Sequence, residues 1–273
     1  MEKLRILAVG AHPDDCEWAA GGTAAKWAAR GDAVRFVSLT NGELGHWKTV
    51  GPSLAARRRA EVARAAEILG VSSVVLDTPD GTLTPSLEQR RAVVRLIREW
   101  KADVVLAHRP CDYHPDHRAV GTLLQDSAYL VTVPHYCPEA PALPRNPLFL
   151  HFEDEFTRPT PFQADVVVPV DDVFEKKLAA LEAMESQGYE GGCEGGPETW
   201  PADDAGRKRR VAEVRANYRG FFEARTRRHR ARLEPSVRTA EAFEICEYSA
   251  SWSDFSKTAR RSDGDELRRL FPL

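Results

Sequence analysis

Two short polar runs hold the residues of this sequence best suited to chemistry: Ala11-His12-Pro13-Asp14-Asp15 and His114-Pro115-Asp116-His117-Arg118. Each offers imidazole and carboxylate groups, the donors of a catalytic zinc site, which takes three protein ligands and keeps one position open for water. A hydrolytic centre needs two further groups: a base for the proton of that water and a donor for the developing oxyanion or the departing amine. The two runs together can supply all five. If His12 and Asp15 both coordinate, the intervening Asp14 is held beside the metal without having to bind it, and it is free to act as the base.

Runs so far apart in sequence meet only if the fold brings them together. Residues 4–10 read as a buried strand, 15–30 as a helix closed by Gly31-Asp32, and 33–40 as a second strand. Residues 54–69 read as a helix ended by Gly70, 73–77 as a third strand, 86–100 as a helix and 102–108 as a fourth strand. This alternation is that of βαβ units, an α/β, Rossmann-like fold with a mostly parallel sheet and helices on both faces. Ligands in such sheets bind at the carboxyl ends of the strands, where both polar runs fall, and the first and fourth strands are neighbours in a common doubly wound order. Further on, a helix is expected from about His117 to Leu130, an irregular segment with five prolines over 133–147, a strand over 165–170 and a helix over 173–187. The Gly- and acid-rich residues 187–206 read as a loop or lid.

Composition bounds what such a protein can be. Its 273 residues, 42% hydrophobic and 29% charged, suit a folded chain with ample core for stability. A formal net charge of −3 removes any whole-molecule case for nucleic acid or an anionic membrane. That total is divided, however: residues 207–232 carry eleven Lys/Arg against two Glu, so this stretch is +9 and the remainder −12. A solvated helix face is the simplest reading of it; a contact to an acidic neighbour in a homo-oligomer and a wall for an acidic substrate are the others. The five cysteines are odd in number, scattered and never in C-x-x-C, which speaks for a reducing cytoplasm over a disulfide framework. The apolar run at the N-terminus is too short for a membrane span and has no signal-peptide cleavage region, so neither a targeting segment nor membrane insertion is expected.

The sequence resembles the PIG-L/LmbE family of zinc-dependent N-deacetylases, which act on GlcNAc-type substrates. The resemblance is carried by residues 11–15 with Glu17 and Gly21-Gly22-Thr23, and by His114-Pro115-Asp116-His117. Thr40-Asn41-Gly42-Glu43, Arg58 to Glu61, Pro79-Asp80-Gly81, Lys176-Lys177, Ser186-Gln187 and Ala240-Glu241-Ala242-Phe243 add to it. The sequence departs from the family pattern at Cys16 and Glu185. The resemblance implies one deacetylase domain over 1–273: an α/β core over 1–190 with the family motifs, then a loop, a basic helix and a closing segment over 191–273. It implies that His12, Asp15 and His117 bind Zn2+, or another divalent transition metal in its place, and that Asp14 is the general base for the metal-activated water. His114 would stabilise the tetrahedral intermediate, with Asp116 orienting its imidazole; Arg58 would reach the acyl end of the substrate, and Asp80 and Asp112 would recognise hydroxyls. The expected activity is removal of an acetyl group from the amide nitrogen of a small N-acyl substrate, an N-acetylated amino sugar or glycoconjugate.

Blander readings compete. His-Pro-Asp-Asp alone is also a turn and helix start. Cys16 directly follows Asp15, so on a helix it points about 100° away from it. His46, His108, His135, His151 and His229 read as surface or satisfied buried residues, with His46 placed to line the pocket. The alternatives to the deacetylase are a metal-dependent amidase for a larger conjugate and a non-catalytic zinc-binding protein.

Overall fold

The computed structural model describes residues 3–249 and 270–271. Its elements run β1 (Arg5–Gly10), α1 (Asp15–Arg30), β2 (Ala33–Thr40), α2 (Pro52–Leu69), β3 (Ser72–Thr78), α3 (Leu87–Trp100), β4 (Val104–Ala107) and α4 (Pro115–Leu130). They continue with β5 (Leu148–Phe152), β6 (Val166–Pro169), α5 (Phe174–Glu182), α6 (Glu185–Gly188), α7 (Asp204–Arg227) and β7 (Ala240–Ile245). One seven-stranded sheet has the order β3-β2-β1-β4-β5-β7-β6. The first five strands are parallel, and β7 runs antiparallel to both β5 and β6.

Strand β1 shows why the sheet is covered on both faces. Alternate side chains of a strand point to opposite sides. Ile6 and Ala8 pack with Ala20, Ala24 and Trp27 of α1 on one face. Leu7 and Val9 pack with Val94 and Ile97 of α3 and with Val120 and Leu123 of α4 on the other. A strand buried on both sides needs a continuous apolar run, not an alternating one, and Ile-Leu-Ala-Val is such a run. The chain order reverses between β1 and β4, so the loops leaving their carboxyl ends diverge and open a crevice.

The second half departs from the expected rhythm in three places. β5 escapes sequence reading because it is a five-residue, fully buried run directly behind the prolines of 133–147. β6 does precede a helix, but it lies at the sheet edge and pairs antiparallel with β7, which inserts between β5 and β6. The helix expected over 173–187 breaks after Glu182 and resumes as the single turn α6. In addition, α4 begins at Pro115, earlier than expected, with His114 as its cap. The closing segment expected after β7 falls largely outside the described residues.

A buried ion pair ties α1 to this second half. Lys177 Nζ of α5 lies 2.6 Å from Glu241 Oε1 of β7 and donates to the Trp18 carbonyl, also at 2.6 Å. Glu241 in turn accepts from the Gly22 and Thr23 amides of α1 at 2.8 and 2.7 Å. Gly22 permits this approach, since a Cβ there would come within 2.9 Å of Val170. The basic stretch is mostly α7, and part of its charge is met inside the chain. Arg215 and Arg219 pair with Glu175, Arg215 also with Glu182, Arg225 with Glu153 and Arg228 with Glu155. No helix among the described residues is long and apolar enough to cross a membrane.

Candidate active site

The two polar runs leave the carboxyl ends of β1 and β4, which are hydrogen-bonded neighbours. After β1 the chain turns sharply into α1, and Asp15 closes that turn: its Oδ2 accepts from the amides of Ala11 and His12 at 2.8 and 2.7 Å. The turn is tight enough that a Cβ on Gly10 would come 2.7 Å from Asp15 Cβ. Asp14 occupies the cap position of α1 without using its carboxylate as a cap. That carboxylate faces Arg58 of α2, with Nη2 2.9 Å from Oδ2. Arg58 is buried, and its guanidinium also reaches the carbonyls of Pro13 at 3.3 Å and Gly42 at 3.4 Å. After β4, His114 caps α4 by accepting the Asp116 amide on Nδ1 at 3.2 Å, and Pro115 sets the first turn.

Three side chains converge from these turns. His12 Nδ1 lies 3.2 Å from His117 Nε2 and 3.6 Å from Asp15 Oδ2, and His117 Nε2 lies 3.6 Å from Asp15 Oδ1. Tetrahedral zinc with bonds of about 2.0–2.1 Å has donor atoms about 3.3 Å apart, so the spacing of the two histidine nitrogens suits the ion, with the Asp15 carboxylate beside them. In each residue the other polar atom is engaged from behind. His12 Nε2 faces Asp116 Oδ2 at 3.3 Å, His117 Nδ1 faces Asp112 Oδ1 at 3.0 Å, and Asp15 Oδ2 faces His108 Nε2 at 3.0 Å. Among the described residues, the trios whose donor atoms all lie within 4.8 Å of one another are His12 with His114 and His117, and Asp15 with His108 and His117, so His117 is common to both and the proposed set draws one further donor from each.

The electrostatics favour a cation at the point of convergence. Burial works against a charged His12, yet hydrogen bonds to Asp116 and Asp15 and the charges of Asp15 and Asp14 push it up to about 10. Burial opposes a charged His117 as well, and Asp15 and Asp112 raise it nonetheless. Asp15 is desolvated, yet His117 and His108 hold it well below the usual carboxylate range. Carboxylates that keep a proton on an imidazole to such high pH would equally satisfy a divalent ion in its place, so the donor set fits a metal. Cys16 does not join it: burial pushes its thiol well up, and the side chain packs in the core beneath α1.

A cavity of about 320 Å3 opens above the cluster. His12, Asp14, Asp15, His114 and His117 line it, together with Arg58 and Asp80. Leu44, Tyr113, Gln187 and Cys193 stand among its other walls.

Several expected residues arrive with different contacts from those foreseen. The Asp116 carboxylate, expected behind His114, instead accepts the Gly81 amide at 2.7 Å and the Leu83 amide at 3.2 Å and turns to His12. It cannot serve both imidazoles, because His114 Nδ1 is occupied by the Asp116 amide itself. Asp112, expected to recognise hydroxyls, spends Oδ1 on His117 and on the His114 amide at 2.9 Å. Both oxygens of Asp80 accept backbone amides, from Gly42 at 2.8 Å and Leu44 at 3.1 Å, and so shape the loop after β2. Arg58 meets Asp14 as well as the cavity. His46 is absent from the cavity walls; it bonds Glu190 at 3.0 Å and accepts the Lys48 and Thr49 amides. His108, which reads from the sequence as a surface or satisfied buried residue, is buried and bonded to Asp15, one residue past β4 at a strand end like that of His12.

A mostly parallel sheet with a His- and Asp-lined cavity at its switch point defines an α/β protein with a candidate hydrolytic metal centre. The sequence pattern described as PIG-L, GlcNAc-PI de-N-acetylase, matches residues 7–128. The chain is 32% identical to the diacetylchitobiose deacetylase of Thermococcus kodakarensis over 193 residues, 67% of this chain and 70% of that protein. It is 30% identical to the 4-oxalmesaconate hydratase of Pseudomonas putida over 190 residues, 66% of this chain and 73% of that one. The N,N'-diacetylchitobiose deacetylase structure from Pyrococcus horikoshii superposes with a TM-score of 0.68 at 25% identity, covering 89% of this chain and 84% of that chain. The chain belongs to the PIG-L family.

Proposed function

We propose that the protein is a zinc-dependent N-deacetylase that hydrolyses the acetamide of an N-acetylated amino sugar. The observation that carries this reading is the convergence of His12 Nδ1, His117 Nε2 and the Asp15 carboxylate beneath an open cavity that also holds a carboxylate and an imidazole not needed as ligands, Asp14 and His114. A purely structural zinc site is closed by four protein ligands and has no use for either. The similarity to proteins named as sugar deacetylases supports the substrate class.

Zinc held there by His12, Asp15 and His117 would supply Lewis acidity and make a water molecule acidic near neutral pH. The protein's own groups do the rest. Asp14 takes the proton as the water oxygen attacks the acetamide carbon, and Arg58, 2.9 Å away, holds the carboxylate in place at the cavity wall. Because His114 Nδ1 accepts the Asp116 amide, its proton sits on Nε2. Burial and the neighbouring His12 and His117 lower the pKa of His114, so it serves as a neutral donor to the oxyanion. As the C–N bond breaks, the proton held by Asp14 passes to the leaving nitrogen, and acetate and a free amine result. The chain acts as one domain in this reading, since β7 from its last third completes the sheet that carries the site. Five free cysteines suit a reducing cytoplasm.

The hydratase relative favours a second reading, in which the same activated water adds to a polarised carbon–carbon double bond. The test is a metal-replete assay on a panel of N-acetyl sugars and unsaturated dicarboxylic acids. Equimolar acetate and amine support deacetylation. Loss of the double-bond absorbance without acetate supports hydration.

A further inference from the structure

Resting on the metal site just proposed, we propose that His108 is a positioning residue of that centre, fixing which oxygen of Asp15 faces the ion and bracing the ring of His117. His108 is buried, and its imidazole makes two contacts that its place one residue beyond β4 allows at once. Nε2 stands 3.0 Å from Asp15 Oδ2. The ring lies flat against His117, with centroids 4.0 Å apart and planes at 13°. Phe152 of β5 meets the ring edge-on at 5.4 Å and 90°, holding it in that plane.

The consequence concerns Asp15. A carboxylate with two equivalent oxygens can bind a metal through either or both. Here Oδ2 already accepts the amides of Ala11 and His12, and the His108 contact makes a third donor. The proton belongs on His108 Nε2, because the Ala11 amide that lies 3.3 Å from the same nitrogen has the carboxylate as its nearer acceptor at 2.8 Å. With three donors on Oδ2, Oδ1 is the oxygen freer to take the ion; it lies 3.6 Å from His117 Nε2, while His12 Nδ1 lies 3.6 Å from Oδ2. His108 therefore does for Asp15 what Asp116 does for His12 and Asp112 does for His117. Each of the three donors has a partner behind it that settles its orientation, and such partners typically contribute 10–100-fold to metal affinity.

The test is zinc affinity of the metal-free full chain, measured by competition with a chromogenic chelator, for three variants whose fold is checked by thermal melting. His108→Gln keeps an N–H donor, His108→Met keeps bulk without a donor, and His108→Phe keeps the ring without a donor. The two donorless variants should bind zinc about 10–100-fold more weakly than the parent, and His108→Gln should recover most of the loss. A folded donorless variant that binds as tightly as the parent overturns the inference, and so does a His108→Gln no tighter than the donorless pair. If one donorless variant does not fold, the other carries the comparison; if neither does, His108→Gln must bind within about tenfold of the parent. A parent that binds no zinc at all overturns the metal site itself, an outcome distinct from either.

Discussion

Arg58 Nη2 stands 2.9 Å from Asp14 Oδ2, and the arginine is the buried member of the pair. The guanidinium expected at the acyl end of a substrate thus has a carboxylate of the protein as its nearest charge. If Asp14 is the base, Arg58→Lys keeps the charge but loses the planar fork that also spans the Pro13 and Gly42 carbonyls. The expected result is a fall in kcat of about tenfold or more with zinc content unchanged, in line with the share that orientation contributes to such sites. Unchanged kcat with a raised KM would return Arg58 to the substrate.

Asp112→Asn and Asp116→Asn distinguish two roles for the same carboxylates. Since each faces the rear nitrogen of a converging histidine, each substitution should weaken zinc binding about 10–100-fold. A hydroxyl-recognising Asp112 would leave zinc affinity alone and raise KM for the sugar. Chelator competition beside steady-state kinetics separates these outcomes.

The site was legible in the sequence as composition and order, much less as contact. Two His- and Asp-bearing runs at strand ends could be found because strand periodicity places them and the sheet order brings them together. Which carboxylate backs which imidazole could not, because it depends on rotations of one turn: Asp116 and His114 are two residues apart, yet the cap bond of His114 turns the Asp116 carboxylate toward His12. His108 lacked a signal for a similar reason, as a lone histidine at a strand end is ordinary until its neighbours are known. The parallel half of the fold was readable from βαβ alternation. β5 was hidden behind prolines, and the antiparallel insertion of β7 rests on long-range pairing that no local pattern encodes.

Stability should fall on the acid side through His151. Burial pushes this imidazole down to about 4; its Nδ1 donates to the His108 carbonyl at 2.9 Å and its Nε2 faces Gln125. The unfolded chain takes up its proton near pH 6.5, the folded chain only near 4. The contribution is therefore complete above about pH 6.5 and is lost as pH falls from there toward 4, by about 3 kcal/mol at most. Urea midpoints of the metal-free protein should drop across that window, and less so in His151→Gln. Parallel curves for the two proteins would contradict this assignment.

The Lys177–Glu241 pair should behave as a buried unit. Lys177→Met strands a carboxylate that also holds the Gly22 and Thr23 amides, and should cost about 3–5 kcal/mol. Adding Glu241→Gln should recover part of that loss. Denaturant titration of the single and double variants reads the coupling, and strict additivity would argue against it.

If one metal ion at His12, Asp15 and His117 serves a hydrolysis whose base is Asp14, metal binding and turnover separate at that residue. Bound zinc and acetate release are to be measured in the same preparation of parent and Asp14→Asn. One zinc per chain is expected in both, with equimolar acetate and free amine from an N-acetyl sugar in the parent and turnover about 10²–10⁴-fold lower in the variant. Full zinc occupancy with equal turnover in both proteins, or with acetate from neither, would contradict that mechanism.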